Sequence, residues 1–278
     1  MNDFEEATAV ERIDEGAFQA QVHKEWRLWG PAGGYVSSLA LRAAGMTSRF
    51  NRPASIAVQY ISMAQFEPVD ICVKSVRGGK RTEALQVVMS QEERLILSAQ
   101  VWMVGQGDGM VHDHTRMPDV PGPEKLKNRN TLTQGQSGDK GFFINMEQRP
   151  VGWIPYEDRI PSEPVERNWF RFRPKSRSLD PLVDAARCLV LIDTFSWLAT
   201  YGPHPTAGAS PWIAPNLDLY VRFHADTTAH DWLFSEMRAD IAEDGLIGSE
   251  GTVWTPDGKL AAAGSSQLFC QPRQKQFQ

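Results

Sequence analysis

Apolar positions follow two different rhythms along this chain, and the order of those rhythms repeats. In the first half, strand-length runs of alternating or near-continuous apolar residues occur at Ala17–Trp26, Ser55–Ile61, Val69–Arg77, Thr82–Ser90 and Leu95–Val104. Such short runs, bounded by turn residues such as Gly78-Gly79, predict half-buried strands. After the first of them comes Tyr35–Ala44, rich in Ala and Leu and led by Gly33-Gly34. It predicts a helix with glycine at its start.

The second half repeats this plan. Asn168–Arg173 predicts a strand, and a helix follows from Leu182 to about Thr200. Asp180 suits the N-cap of that helix and Pro181 its first turn, while Gly202-Pro203 ends it. Four strands follow at Leu217–His224, Trp232–Ile241, Leu246–Trp254 and Leu260–Cys270, with Pro256-Asp257-Gly258 as the last hairpin turn. Between the halves, Gly105 to about Gly141 is rich in Gly, Pro, Asp and Asn and has no sustained period. It reads as a linker or long surface loop. The stretch to Pro164 is also irregular, although Phe142, Phe143, Trp153 and Tyr156 suggest that part of it packs down.

The halves also align residue by residue. Pro53–Ile61 sets against Pro215–Phe223, with Ala54 opposite Asn216, and Ser98–Met103 sets against Ser265–Cys270. Together with the repeated order of elements, this predicts a duplicated α+β domain. The expected division is residues 1–110, a linker at 111–164, and residues 165–278. The second helix is apolar nearly all round, from Leu182 to Ala199. Such a helix is enclosed on most sides. A long helix with a sheet curled about it is the hotdog arrangement, so the expected fold is a double hotdog.

Composition narrows the partners. The chain has 278 residues, 41% hydrophobic and 23% charged, with a net charge of −5. No Lys/Arg run exceeds two residues, so nucleic acid and anionic membranes are not expected as main partners. Cys72, Cys188 and Cys270 are far apart, which argues against a disulfide framework or a zinc site and fits a reducing cytoplasm. The first residues are acidic and polar, unlike a signal peptide, and no apolar run approaches a membrane span. No GxSxG elbow, P-loop or dinucleotide fingerprint occurs, and His112 and His114 lie in polar linker without supporting ligands.

Asp193 is the most informative residue. It sits in Leu189–Leu198, in the middle of the most apolar helix. A carboxylate there is desolvated, which raises its pKa and suits a general base; the other reading is a structural carboxylate bonded to a neighbouring element. Gln267 lies inside the last strand after small residues, and Asn216 precedes the strand from Leu217. Alone, these read as a solvent-facing strand residue and a turn residue. Asp218 is a rival carboxylate.

Three places in the second half resemble the thioesterase II (TesB-like) family of acyl-CoA thioesterases. They are the buried acid at Ile192-Asp193, the strand Asn216-Leu217-Asp218 followed by Phe223-His224, and the glutamine Gln267. In the first half, Gly33-Gly34-Tyr35-Val36 before an Ala-rich helix resembles the family's N-terminal hotdog. The resemblance implies hydrolysis of acyl-CoA by a water that Asp193, Asn216 and Gln267 orient and activate, with Asn216 where the family commonly has Thr. No cofactor and no metal are expected. Gly33 and Gly34 read either as a close-packed turn or as backbone N–H donors to the substrate, and Arg171, Arg173 and Lys175 either as a solvated strand edge or as contacts for CoA phosphates. A non-catalytic acyl-CoA-binding or interaction protein is the alternative, and a homo-oligomer is left open. The first half keeps Gln100 opposite Gln267 but has no acid in its helix, the pattern of a fused homodimer with one surviving site. All three residues are expected to converge on one water-sized position.

Overall fold

In the computed structural model, residues 3–135, 141–206 and 210–273 are described. The first half holds strands β1 (Glu11–Asp14), β2 (Ala17–Gln21), β3 (Arg52–Tyr60), β4 (Pro68–Gly78), β5 (Thr82–Gln91) and β6 (Arg94–Val104). It also holds a helical turn, α1 (Phe4–Ala7), and a long helix, α2 (Gly33–Thr47). A second short turn, α3 (Arg129–Leu132), lies in the connection. The second half holds β7 (Met146–Pro150), β8 (Val165–Phe172), the long helix α4 (Pro181–Phe195), β9 (Trp212–Ile213) and β10 (Asp218–Phe223). It continues with β11 (Leu233–Glu243), β12 (Leu246–Trp254), β13 (Leu260–Phe269) and β14 (Gln271–Pro272).

Twelve strands form one antiparallel sheet in the order β1-β2-β4-β5-β6-β3-β10-β13-β12-β11-β8-β7. The order reads the same from either edge once β3 is matched to β10, β6 to β13, β5 to β12, β4 to β11 and β2 to β8. The halves therefore meet at β3 and β10, where Ala57 pairs with Tyr220 and Val58 with Leu219. Side chains alternate across the strands, and Ile56, Val58, Leu219 and Val221 turn inward to full or near-full burial. The sheet curls around α2 and α4, which pack on each other and complete a single core. This is the double-hotdog arrangement.

Several boundaries differ from the sequence expectation. Helix α4 stops at Phe195, and Ser196–Tyr201 continues as a 3-10 helix. The first expected strand ends at Gln21, and Lys24–Trp26 is a 3-10 turn. The edge strands β1 and β7 carry no apolar alternation, since β1 is exposed throughout and β7 buries Glu147 and Gln148. Nothing in their pattern marked them. The connecting stretch is also less loop-like than its composition suggested. Met117, Val120 and Leu126 pack on a second cluster of Trp169, Phe234 and Trp254, and Trp169 Nε1 donates to the Pro121 carbonyl at 2.9 Å.

Helix α4 is pinned at its start. The Asp180 carboxylate accepts from the Leu182 N–H at 2.8 Å, with Pro181 in the first turn as the sequence predicts. Two turns on, Arg187 is 1% exposed and donates to Asp184 Oδ1 at 2.6 Å, the Ser176 carbonyl at 2.5 Å and the Thr227 carbonyl at 2.8 Å. Asp184 Oδ2 accepts from the Thr227 N–H at 2.9 Å. A buried charge without its partner is costly, so Asp184→Ala should destabilise the fold by ~3–5 kcal/mol. Urea denaturation checks this, and a loss below ~1 kcal/mol would show that the network does not anchor α4.

Candidate active site

Two small residues bring α2 and α4 together. The helices pack antiparallel, so that the first turn of α2 meets the last turns of α4. A Cβ on Gly34 would lie 2.8 Å from Val190 Cα and 2.9 Å from Asp193 Cβ, and one on Gly33 would lie 2.9 Å from Asp193 Oδ1. Only glycine permits this approach. It places the first amides of α2, which have no partner inside their own helix, against the Asp193 carboxylate. The N-cap residue Ala32 has no capping side chain. Instead Gly34 N–H donates to Asp193 Oδ2 at 2.5 Å, so α2 is capped by an acid from the other half of the chain.

Asp193 Oδ1 has two further donors. Tyr60 Oη lies at 2.8 Å and Asn216 Nδ2 at 2.8 Å. Asn216 Nδ2 also lies 3.3 Å from the Asp193 carbonyl. Tyr60 Oη in turn bonds Ser37 Oγ of α2 at 2.8 Å. Asp193 is 6% exposed, and burial pushes its pKa up to about 6 against the pull of Tyr60, Gly34 and Asn216. Burial and the nearby Asp193 charge raise the Tyr60 phenol well above its ordinary value, so it stays protonated and donates. Gly33, Tyr60 and Asn216 keep partial exposure and form the side of the site that faces outward.

The structure joins Asp193 and Asn216 by a hydrogen bond, whereas among the described residues none joins the Gln267 side chain to either. Gln267 lies between Ser266 and Leu268, both buried, so strand alternation turns its side chain to the outer face of the sheet. Its backbone does take part. The Asn216–Leu268 bridge and the Tyr220–Ser265 ladder are out of step by one residue, a β-bulge at the start of β10. Asp218 Oδ1 accepts the Gln267 N–H at 2.8 Å, and Ser266 Oγ donates to the Asp218 carbonyl at 2.6 Å. The rival acid Asp218 thus supports the bulge.

The bulge also corrects the alignment of the halves. In the first half Ser98 pairs with Gln59 and Val101 with Ile56; in the second Ser265 pairs with Tyr220 and Leu268 with Asn216. The counterpart of Asn216 is therefore Ile56, not Ala54, and that of Tyr60 is Val221. Helices α2 and α4 are both 15 residues long, which sets Asp193 against Gly45, Gly34 against Leu182, and Ser37 against Ala185. At the related position a Cβ on Gly45 would lie 2.1 Å from Leu182 Cδ1. Each polar group of the site is replaced there by an apolar or absent side chain. Tyr60 was hidden in the sequence because it continues the inward alternation of Ile56 and Val58. Matching it to Val221 would have singled it out.

Arg171 and Arg173 lie elsewhere, beside Glu147. Glu147 is 4% exposed and accepts from Arg171 at 2.6 Å, Arg173 at 3.3 Å and Arg149 at 2.7 Å. Burial opposes ionisation there, but the three guanidinium groups hold its pKa at about 2. Arg149 and Arg171 also lie over the Trp232 ring, each at 4.9 Å. Lys175 pairs with Glu5 at 2.6 Å. Among the described residues no cluster of His, Cys, Asp or Glu could hold a metal ion, and no helix is long and apolar enough to cross a membrane.

Comparison with known proteins agrees with this architecture. Residues 22–104 match the acyl-CoA thioesterase N-terminal domain, and residues 114–269 the acyl-CoA thioesterase C-terminal domain. No curated protein matches the chain. Among solved structures, a hot dog-fold protein of Alicyclobacillus acidocaldarius is 22% identical with a TM-score of 0.82, covering 99% of this chain and 100% of that one. An acyl-CoA thioesterase II of Mycobacterium marinum is 20% identical with a TM-score of 0.79, covering 97% and 98%. A tesB protein of Mycobacterium avium subspecies paratuberculosis is 21% identical with a TM-score of 0.76, covering 96% and 97%. At this identity the likenesses establish the shared fold.

The raised pKa of Asp193 has a consequence for stability. The folded chain holds this proton up to about pH 6, whereas a free carboxyl holds it only to 3.8. The folded state thus binds more protons in that window, and its stability falls as the pH rises through it. The gap is worth ~3 kcal/mol. Unfolding measured from pH 4 to pH 8 should show the native chain losing about that much relative to Asp193→Asn by about pH 6, with no further change above. A difference independent of pH would mean that Asp193 ionises normally.

Proposed function

The chain belongs to the acyl-CoA thioesterase family, and we propose that it hydrolyses acyl-CoA to a free acid and CoA with a water activated by Asp193. The observation that carries this reading is the placement of one desolvated carboxylate, its pKa lifted to about 6, against the amide end of α2. A base with a pKa near the working pH combines adequate ionisation with a strong tendency to take a proton.

The chemistry follows from the arrangement. Asp193 accepts a proton from water as the water oxygen adds to the thioester carbonyl carbon. Asn216 fixes the carboxylate from the C-terminal half. Charge then develops on the carbonyl oxygen, which needs a donor. Gly34 N–H is engaged by Asp193, so the Gly33 N–H is the donor assigned to that oxygen, favoured by the helix dipole. Collapse breaks the carbon–sulfur bond, and the proton on Asp193 passes to the departing sulfur. Water and thioester become acid and thiol, with Asp193 restored. Gln267 supports the strand that carries Asn216 through its backbone. Arg171 and Arg173, which both bond Glu147, are the proposed contacts for CoA phosphates.

Steady-state kinetics with acyl-CoAs from short to long chain tests this reading. Turnover should rise with pH around a midpoint near 6. Asp193→Asn should lower kcat by ~10²–10⁴-fold, the scale of a positioned general base, with little change in KM. Arg171→Ala should raise KM, as should added salt. Binding of acyl-CoA without turnover at any chain length would instead identify a non-catalytic acyl-CoA-binding protein, in which Asp193 serves only as the cap of α2.

A further inference from the structure

The two oxygens of Asp193 are not equivalent. Oδ1 receives Tyr60 Oη at 2.8 Å and Asn216 Nδ2 at 2.8 Å, which fills its accepting positions. Among the described residues, Oδ2 receives only Gly34 N–H. One lone pair of Oδ2 is therefore open, beside the first turn of α2.

The direction of the chain that holds Oδ1 is forced by proton counting. An ionised carboxylate only accepts, so the single phenolic proton of Tyr60 points at Asp193. The hydrogen bond of 2.8 Å between Tyr60 Oη and Ser37 Oγ must then be donated by Ser37. Ser37 is fully buried on α2 and Tyr60 ends β3, so both come from the half of the chain whose long helix has no acid. Their counterparts in the other half, Ala185 and Val221, can donate nothing.

We propose that Tyr60, fixed by Ser37, is a positioning residue that occupies Oδ1 and so makes Oδ2 of Asp193 the oxygen that takes the proton from water. This rests on the thioesterase reading and deepens it. Tyr60 acts through Asp193 and is not assigned contact with substrate. The arrangement gives the N-terminal half a defined task, since it aims a base that belongs to the other half. The charged groups that face Tyr60 are Asp193 from α4 and Asp218 from β10; α2 presents only amides and the Ser37 hydroxyl.

Tyr60→Phe removes the donor and keeps the ring. In that variant kcat should fall roughly ten- to a hundredfold, the scale of one hydrogen bond to a charged group, with KM little changed. The midpoint of the pH–rate profile should move to higher pH, because the Tyr60 bond favours the ionised carboxylate. Ser37→Ala should move both readouts the same way by a smaller amount. A purely structural tyrosine would lower the melting temperature and leave the midpoint where it was. A second readout needs no turnover. Infrared difference spectra against Asp193→Asn report the carboxyl titration directly, and its midpoint should also rise in Tyr60→Phe. If the folded Tyr60→Phe chain keeps both its kcat and its carboxyl midpoint, the proposal is overturned. If the infrared midpoint moves but the native chain hydrolyses no thioester, the proton-selecting role fails together with the thioesterase reading. A rise in midpoint with native kcat overturns the selection of Oδ2 alone.

Discussion

One contact between the two halves organises the molecule: the amide end of α2 lies directly against a buried carboxylate on α4. The contact requires Gly33 and Gly34, since a Cβ at either would meet Asp193, or Val190 beside it, at less than 3.0 Å. It also requires that α4 bury an acid, which is unfavourable unless donors surround it. The donors come from three elements: Gly34 of α2, Tyr60 at the end of β3, and Asn216 before β10. All three can reach one carboxylate only because β3 and β10 are neighbours at the centre of the continuous sheet. The helix pairing, the junction of the halves and the site are thus aspects of one geometric requirement.

The same requirement explains why the duplicated fold carries one site. At the related end of the helix pair, Leu182 fills the space above Gly45, and the strand counterparts of Asn216 and Tyr60 are the apolar Ile56 and Val221. Apolar packing there avoids a second desolvated carboxylate, whose burial would weaken the fold at neutral pH. The surviving site is nevertheless built from both halves. The helix of the first half has no acid, yet its amides, Ser37 and Tyr60 stand around the acid of the second. The N-terminal half is therefore part of the site as well as part of the scaffold.

Much was legible in the sequence because local rules decide it. Alternation over strands such as Val69–Arg77 and the all-round apolarity of Leu182–Ala199 determined the elements, and their repeated order determined the duplication. The N-cap at Asp180 is a short-range effect readable from neighbouring residues. A lone acid in an apolar helix, Asp193, and glycines at the start of α2 signal a special contact without saying with what. Tertiary structure alone decided the partners. Tyr60 alternates like any core residue, so only the antiparallel meeting of α2 and α4 beside the β3–β10 junction gives its hydroxyl a meaning. The one-residue bulge before β10 is invisible to pattern reading, yet a one-residue slip reverses the face of every side chain beyond it. It aligned Asn216 with Ile56, turned Asn216 toward Asp193, and drew the Asp218 carboxylate to the Gln267 amide. Gln267 joined the expected site only through the family resemblance, which matches residue type; the face a strand residue occupies depends on its register with neighbouring strands, and only the folded sheet sets that.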